Sequence, residues 1–375
     1  MSTSTVVKGA PVVLAPLPAQ PLVSLLVANY NYAGYIGAAL DSALGQSYDN
    51  LEVCVCDDGS NDDSVAVIEG YAQRDKRVKL ETKANGGAAS ALNVAFEMSS
   101  GEIVCLLDAD DIFEPHKVAT IVDAFRDQSC GVLVHPLLVI DGEGAAIQRK
   151  PSFGHLEKGW IADKVAARGG RWSYMEASAV CMRREVAELM FPIPEDLFRT
   201  WADAYLCSLG ALLTPVGNVD EALARYRIHT SNVSGFNVFT ADHGAKAMNG
   251  FDRLVEGVNR GLRRIDENAP TLRAEDNLTY LEARLQKEVL EPGIPPSQGA
   301  RTFLDYSRRV LTDDIYGSAR KALSIFFLGT ALVLPRRVRS RWLSAGLTHS
   351  RAKENLRRFA KPVLRLLRGR NARAA

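Results

Sequence analysis

The chain has 375 residues, 47% hydrophobic and 24% charged, with a formal net charge of +1 and a mean hydropathy of −0.07. These values lie in the ordinary globular range, which excludes wholesale disorder, a collagen-like repeat and a multi-span membrane protein. The charge is unevenly placed: residues 335–375 hold 13 Lys or Arg and one acid, Glu354, while the other 334 residues hold 32 bases and 43 acids. So acidic a main body is a poor general binder of nucleic acid, and none is expected as a partner. The length suits two or three domains, or one large α/β domain with an extension.

Residues 1–20 are rich in Ala, Pro and Val, carry one Lys, and are interrupted by Pro11, Pro16 and Pro18. With no charged segment leading into an unbroken apolar stretch, they read as a disordered lead-in rather than a secretory signal. Val23–Val27 is a short apolar run, and Ile36–Leu44 has helical spacing. Leu51–Cys56 is a second apolar run, stopping at Asp57-Asp58-Gly59-Ser60. Asp63–Arg74 reads as a helix, Val78–Glu81 as a short strand, and Gly86-Gly87 open a helix to Met98. Ile103–Leu107 is a third strong apolar run, stopping at Asp108-Ala109-Asp110-Asp111, and Pro115–Arg126 is helical. Strands alternating with such helices predict βαβ units around a mostly parallel sheet, whose ligands bind at the carboxyl ends of the strands. Both acidic clusters fall at such ends.

Further on, Val132–Ile140, Ala177–Met182 and Ala222–Ile228 read as strands and Leu197–Leu213 as an amphipathic helix. Beyond about Gly235 the chain turns helical, at Ala245–Asp266, Thr271–Leu290 and Arg301–Leu334, with Pro292–Pro296 as a linker. The expected organisation is a lead-in over 1–20, an α/β domain over 21–235, a helical extension over 236–334 and a basic tail over 335–375. Cys54, Cys56, Cys105, Cys130, Cys181 and Cys207 show no CxxC or CxxH spacing. Neither a zinc site nor a disulfide framework is expected, and reduced thiols fit a cytoplasmic setting.

Crowded carboxylates repel one another, so two acidic clusters at the ligand edge of one sheet need relief. A hard divalent cation with hydrogen-bonding ligand groups supplies it, and oxygen-only ligands point to Mg²⁺ or Mn²⁺ rather than zinc. No Walker-type Gly-Lys-Ser/Thr is present to hold phosphate instead.

Four stretches carry a resemblance. They are Val27-Ala28-Asn29-Tyr30-Asn31, Cys56-Asp57-Asp58-Gly59-Ser60-Asn61-Asp62, Asn85-Gly86-Gly87 with Ser90 and Asn93, and Gly101–Asp111. In order and spacing they resemble the nucleotide-sugar domain of family 2 glycosyltransferases, inverting enzymes of the GT-A fold. The likeness covers about Leu22 to Gly235. It implies a Rossmann-like α/β domain that moves a sugar from a nucleotide diphosphate sugar to an acceptor hydroxyl, in polysaccharide or glycoconjugate assembly. By the same resemblance Ala28 and Tyr30 lie near the nucleotide base, Asp58 hydrogen-bonds it and Asp57 supports the turn. Asn85, Gly86, Ser90 and Asn93 form the Gly-rich turn and donor-side helix. Asp108 and Asp110 form a DxD, with Asp110, or Asp111 as runner-up, binding the metal that bridges the diphosphate.

Trp201-Ala202-Asp203-Ala204-Tyr205-Leu206 stands where the family has Glu-Asp; Ala202 replaces the Glu and Asp203 keeps the Asp. The resemblance makes Asp203 the catalytic base, with Glu195 and Asp196 as the competing assignment. Tyr226-Arg227-Ile228-His229-Thr230-Ser231-Asn232-Val233-Ser234 is similar to the family's closing segment, which implies a metal or diphosphate role for His229 and a phosphate role for Arg227. The alternative function is a catalytically silent nucleotide-sugar-binding or scaffold subunit, suggested by Ala202.

Ala322–Leu334 is a 13-residue apolar run, shorter than the ~20 residues that span a bilayer. The basic amphipathic segment Asn355–Arg370 that follows suits an anionic membrane surface. The expectation is a cytoplasmic enzyme, peripheral at the inner face of the membrane, acting on a glycan or lipid-linked acceptor. A tail docked on the acidic body and an RNA-binding tail are the alternatives.

Overall fold

A computed structural model describes residues 11–147, 156–174, 176–229 and 240–347. Residues 1–10, the segment Thr230–Ser234 and the amphipathic segment Asn355–Arg370 lie outside the described residues. The chain divides into two compact units, residues 1–232 with 253–273, and residues 233–252 with 274–375.

The first unit starts with β1 (Val23–Asn29), α1 (Ala33–Leu44), β2 (Leu51–Asp57), α2 (Ser64–Arg74), β3 (Val78–Thr82), α3 (Ala88–Glu97) and β4 (Ile103–Asp108). It continues with β5 (Ile112–Phe113), α4 (Lys117–Asp127), β6 (Val132–Val134), β7 (Leu137–Ile140), α5 (Ala162–Ala167), β8 (Val180–Arg183) and α6 (Arg184–Met190). Then come α7 (Ala202–Leu213), β9 (Val216–Asn218) and β10 (Ala224–Arg227). The main sheet has seven strands in the order β3-β2-β1-β4-β8-β6-β9, with β1 to β4 mutually parallel and β8 antiparallel to both its neighbours. β1, β2 and β4 are almost wholly buried, as expected of parallel strands covered on both faces. The chain steps outward from β1 to β3, then crosses to the other side of β1 for β4. The resulting switch point between β1 and β4 is where such sheets bind ligands, and Ala28 pairs with Asp108 there.

Several sequence expectations need correction. Val132–Ile140 is not one strand: it breaks at His135-Pro136, where proline cannot donate to a ladder. β6 joins the main sheet and β7 joins a second sheet of order β5-β10-β7. Ala177–Met182 starts as a 3₁₀ turn over Ala177–Ala179 before β8 begins. The helix expected from Leu197 begins only at Ala202, because Trp201 sits in the left-handed region at φ 66°. Residues 11–20, read as part of a disordered lead-in, are held to this unit. Val12 N–H donates to Leu213 at 2.8 Å, Arg183 donates to the Ala15 carbonyl at 2.6 Å, and Arg126 donates to the Ala19 carbonyl. All six cysteines are buried free thiols.

The second unit is helical. α8 (Ala241–Ile265) contributes its residues up to Asp252, followed by α9 (Leu278–Leu290), α10 (Pro296–Thr312), α11 (Ser318–Val333) and α12 (Arg336–Leu347). Arg301–Leu334 is therefore two helices with a break at residues 313–317, where the Asp313 carboxylate accepts the backbone N–H groups of Ile315 and Tyr316. The core unites Leu281, Leu285, Val289, Tyr306, Val310, Leu328, Ala331 and Leu343. The apolar run Ala322–Leu334 is thus divided between two environments. Phe327, Leu328 and Ala331 are core, while Phe326 is 53% and Val333 83% exposed. No helix among the described residues is long and apolar enough to cross a membrane.

This division predicts unequal costs. Leu328→Ala empties a fully buried site and should destabilise the helical unit by about 2–5 kcal/mol. Phe326→Ala should cost under about 1 kcal/mol. Denaturant unfolding of the two variants checks it.

Candidate active site

The first acidic cluster is locked into its turn. The Asp57 carboxylate accepts Asn29 Nδ2 at 2.7 Å, the Ser60 N–H at 2.9 Å and the Ser60 hydroxyl at 2.6 Å. Asn31, in the left-handed region at φ 57°, donates its N–H to Ser60 Oγ at 2.8 Å and accepts the Asn61 N–H at 2.7 Å. These bonds lace the end of β1 to the end of β2 and leave Tyr30 at the surface, 42% exposed, beside Ala28. The Asp57 carboxylate thus ties Asn29 to Ser60 across the two strand ends.

Asp58 reaches the next loop. Its Oδ1 accepts the Gly86 N–H at 2.8 Å and Lys83 Nζ at 3.0 Å, and its Oδ2 accepts the Gly87 N–H at 2.7 Å. Asn85 donates to the Asp58 carbonyl at 3.0 Å and accepts from Arg199. Gly87 has φ +94°, and a Cβ there would stand 2.6 Å from Arg199 Cα, so both its conformation and the close approach require glycine. The first N–H groups of α3 do not face open space. Ala88 and Ala89 donate to the carbonyls of Arg199 and Phe198 at 3.0 and 3.1 Å. Ser90 is buried beneath this turn. Asn93 hydrogen-bonds Ile193 through both its amide atoms, at 3.0 and 2.7 Å, and donates to Glu195 at 3.1 Å. Asn85, Gly86 and Asn93 therefore join the Asp58 turn and α3 to the segment leading into α7.

The second cluster closes the switch point. The Asp108 N–H donates to Ser178 Oγ at 3.0 Å. Asp110 is 7% exposed, and its Oδ2 lies 2.9 Å from His229 Nε2. Asp111 is fully buried; its Oδ1 accepts the Arg227 N–H at 2.9 Å. Arg227 donates through Nε to the Asp110 carbonyl at 2.7 Å and through a terminal nitrogen to the Gly142 carbonyl at 2.9 Å. Tyr35 stacks on His229 with centroids 4.7 Å apart, Tyr32 meets the same ring edge-on at 5.7 Å, and the Arg227 guanidinium lies over Tyr35. Asp110, Asp111, Arg227 and His229 thus form one constellation spanning two sheets.

The electrostatics follow from crowding. Burial, then Asp111, Asp110, Asp203 and Glu176, raise the Asp108 carboxyl well above the usual range. Burial and Asp110 push Asp111 up to about 8, against the Ser178 hydroxyl and the Arg227 N–H. Burial, followed by Asp110 and Asp108, holds the Tyr32 hydroxyl protonated. Asp203, in the first turn of α7, is raised to about 6 by burial and by Glu176, while the N–H of Ala204 and its own N–H oppose the shift. The fields of Asp203 and the second cluster overlap, so the structure brings these sequence-predicted groups together. The competing bases are engaged elsewhere: Glu195 binds Asn93, and exposed Asp196 pairs with Arg260 at 2.7 Å.

Sequence reasoning missed Tyr32, Tyr35 and Glu176. The two tyrosines follow Tyr30 and Asn31 closely, and that aromatic spacing was a usable signal. Glu176 gave none. It reaches the site because β8 runs antiparallel to β4, which carries the residues before β8 to the carboxyl end of β4.

Three comparisons bear on this arrangement. The glycosyl transferase family 2 model matches residues 24–191. An uncharacterized glycosyltransferase of Nostoc sp. is 34% identical over 250 residues, covering 66% of this chain and 77% of that one. The chondroitin synthase of Escherichia coli is 38% identical over 134 residues, 36% of this chain but only 20% of that enzyme. Among solved structures, residues 1–349 of S. aureus TarS in complex with UDP-GlcNAc superpose with a TM-score of 0.52 at 16% identity, covering 84% of this chain and 90% of that one. The chain belongs to glycosyl transferase family 2. It is a glycosyltransferase with the GT-A fold and a helical C-terminal unit.

Proposed function

We propose that the protein transfers a sugar from a nucleotide diphosphate sugar to a hydroxyl of a glycan or lipid-linked acceptor, with inversion, using Asp203 as base. The observation that supports this most is the raised carboxyl of Asp203 within the field of the Asp108–Asp111 turn. The similarity to chondroitin synthase supports a glycan product. In this reading Ala28 and Tyr30 flank the nucleotide base. Asp58 Oδ2, bonded to the Gly87 N–H, keeps an acceptor position for an N–H of that base. Asp57, Asn85, Gly86, Ser90 and Asn93 hold this wall in place. Asp108 lies beside the donor sugar, and Arg227 lends positive charge to the diphosphate edge.

The donor set suits Mg²⁺ or Mn²⁺. It consists of carboxylates plus one imidazole, crowded enough to hold two carboxyls above their ordinary range. Among the described residues no three such side chains are arranged as a metal cage, so donor phosphate oxygens and water would have to complete the shell. Asp110 and His229 would hold it, with fully buried Asp111 as the remaining carboxylate. Its chemistry there is to stabilise the negative charge that builds on the leaving diphosphate. Asp203 accepts the proton as the acceptor hydroxyl attacks, and its position in the first turn of α7 places backbone N–H groups behind the carboxylate.

A base must be ionised to work. A carboxyl raised to about 6 is mostly charged at pH 7.5 and mostly neutral at pH 5. Turnover should therefore fall as pH drops through about 6. Asp203→Asn should lower kcat by ~10²- to 10⁴-fold, abolish that acid limb and preserve donor binding. A pH–rate profile with calorimetric donor titration checks all three. Asp110→Ala should remove both transfer and chelator-sensitive binding of a nucleoside diphosphate, read by calorimetry with and without EDTA.

We also infer a peripheral membrane position for the helical unit. Phe326, Val333 and Val338 are exposed near Arg336, Arg337 and Arg341, with Trp342 against Phe326 at 6.0 Å. Exposed apolar side chains, an interfacial tryptophan and arginines suit an anionic bilayer. Phe326→Ser/Val333→Ser and Arg336→Glu/Arg337→Glu should each weaken sedimentation with phosphatidylserine vesicles, the charge pair losing the salt sensitivity as well. Equal sedimentation of wild type and variants would refute this placement.

A further inference from the structure

Lys117 is the first residue of α4 and is fully buried. Its Nζ donates to the Ser178 carbonyl at 2.6 Å and stands 3.4 Å from the centroid of the Phe113 ring. Burial lowers its pKa, against the neighbouring Cys181, Cys105 and Asp111. An ammonium withdrawn from water is costly, and one neutral carbonyl and one ring offset only part of that cost. An apolar chain of similar length would fill the same space at lower cost, so packing alone does not account for a charge here.

What the ammonium holds is Ser178. The Ser178 hydroxyl accepts the Asp108 N–H at 3.0 Å and faces the Asp111 carboxylate. Asp111 in turn holds the Arg227 N–H, and Arg227 Nε holds the Asp110 carbonyl. Through Ser178 and Arg227, Lys117 is thus linked to the Asp108 N–H, the Asp111 carboxylate and the Asp110 carbonyl. The same 3₁₀ turn carries Glu176 at its start.

We propose that Lys117 is a positioning residue for the transfer reaction: anchored on the Ser178 carbonyl, it fixes the Ser178 hydroxyl against Asp108 and Asp111 and so sets the turn that receives the donor diphosphate. This rests on the reading of that turn as the donor site.

The test compares full-length Lys117→Met, Ser178→Ala, the double variant and Asp110→Ala. The readouts are thermal melting, kcat and KM for the donor, and Mn²⁺ binding by electron paramagnetic resonance with a nucleoside diphosphate present. Lys117→Met should melt at or above the wild-type temperature, yet lose ~10- to 100-fold in kcat/KM and in Mn²⁺ affinity, as outer partners of metal ligands do. Ser178→Ala should act alike, and the double variant should be no worse than the weaker single, because both cut one chain. A folded Lys117→Met with wild-type kinetics and Mn²⁺ binding overturns the proposal, as do multiplicative effects in the double variant. If Lys117→Met does not fold, Ser178→Ala decides, since it leaves the lysine's carbonyl contact intact; wild-type behaviour there overturns the proposal too. An active Asp110→Ala would instead remove the donor-site reading itself.

Discussion

Mutual repulsion among the carboxylates at the end of β4 is the constraint to which the rest of the first unit answers. Asp108, Asp110 and Asp111 lie within four residues, and Asp203 and Glu176 add their fields. Charges so crowded and so poorly hydrated stay only where neighbouring groups restrain them. The restraints come from far along the chain: Arg227 and His229 from the end of the second sheet, Ser178 from the turn before β8, Tyr32 and Tyr35 from the loop after β1 and the start of α1. The antiparallel β8 and the small second sheet are the elements that bring Ser178, Arg227 and His229 to this strand end. On the proposed reading, a hard divalent cation is what relieves the repulsion that remains.

The other wall of the site follows a different logic. The Asp57 turn, the Asp58–Gly86–Gly87 clasp and the Asn93–Ile193 pair are saturated with internal hydrogen bonds. They make a tightly bonded rim that carries the exposed Tyr30 ring, which on the proposed reading faces the nucleotide base. In the same reading this saturated rim holds the nucleotide and the crowded carboxylates face the diphosphate.

Much of this was legible in the sequence. β1, β2 and β4 were plain because parallel strands covered on both faces read as unbroken apolar runs, and the two acidic clusters were plain because each ends such a run. Asp203 stands out only through its resemblance to a family pattern, since nothing in its local spacing distinguishes it, and its role as base is a proposal. Glu176, Ser178 and Lys117 were invisible. Their meaning depends on the antiparallel placement of β8, and an apolar stretch does not state its direction. Periodicity also merged segments that the backbone separates. Pro136 divides one apolar run between two sheets, Trp201 delays a helix by a left-handed residue, and Ala322–Leu334 divides between core and surface because a helix turns its faces in different directions.

On the proposed reading the donor sits at the switch point between β1 and β4. A crystal structure of the protein with a nucleoside diphosphate and Mn²⁺ tests it most directly. The base is expected between Tyr30 and Asp58, with the diphosphate and ion at Asp110 and His229. A nucleotide bound at any other place, or bound here with its phosphates directed away from Asp110, would contradict it.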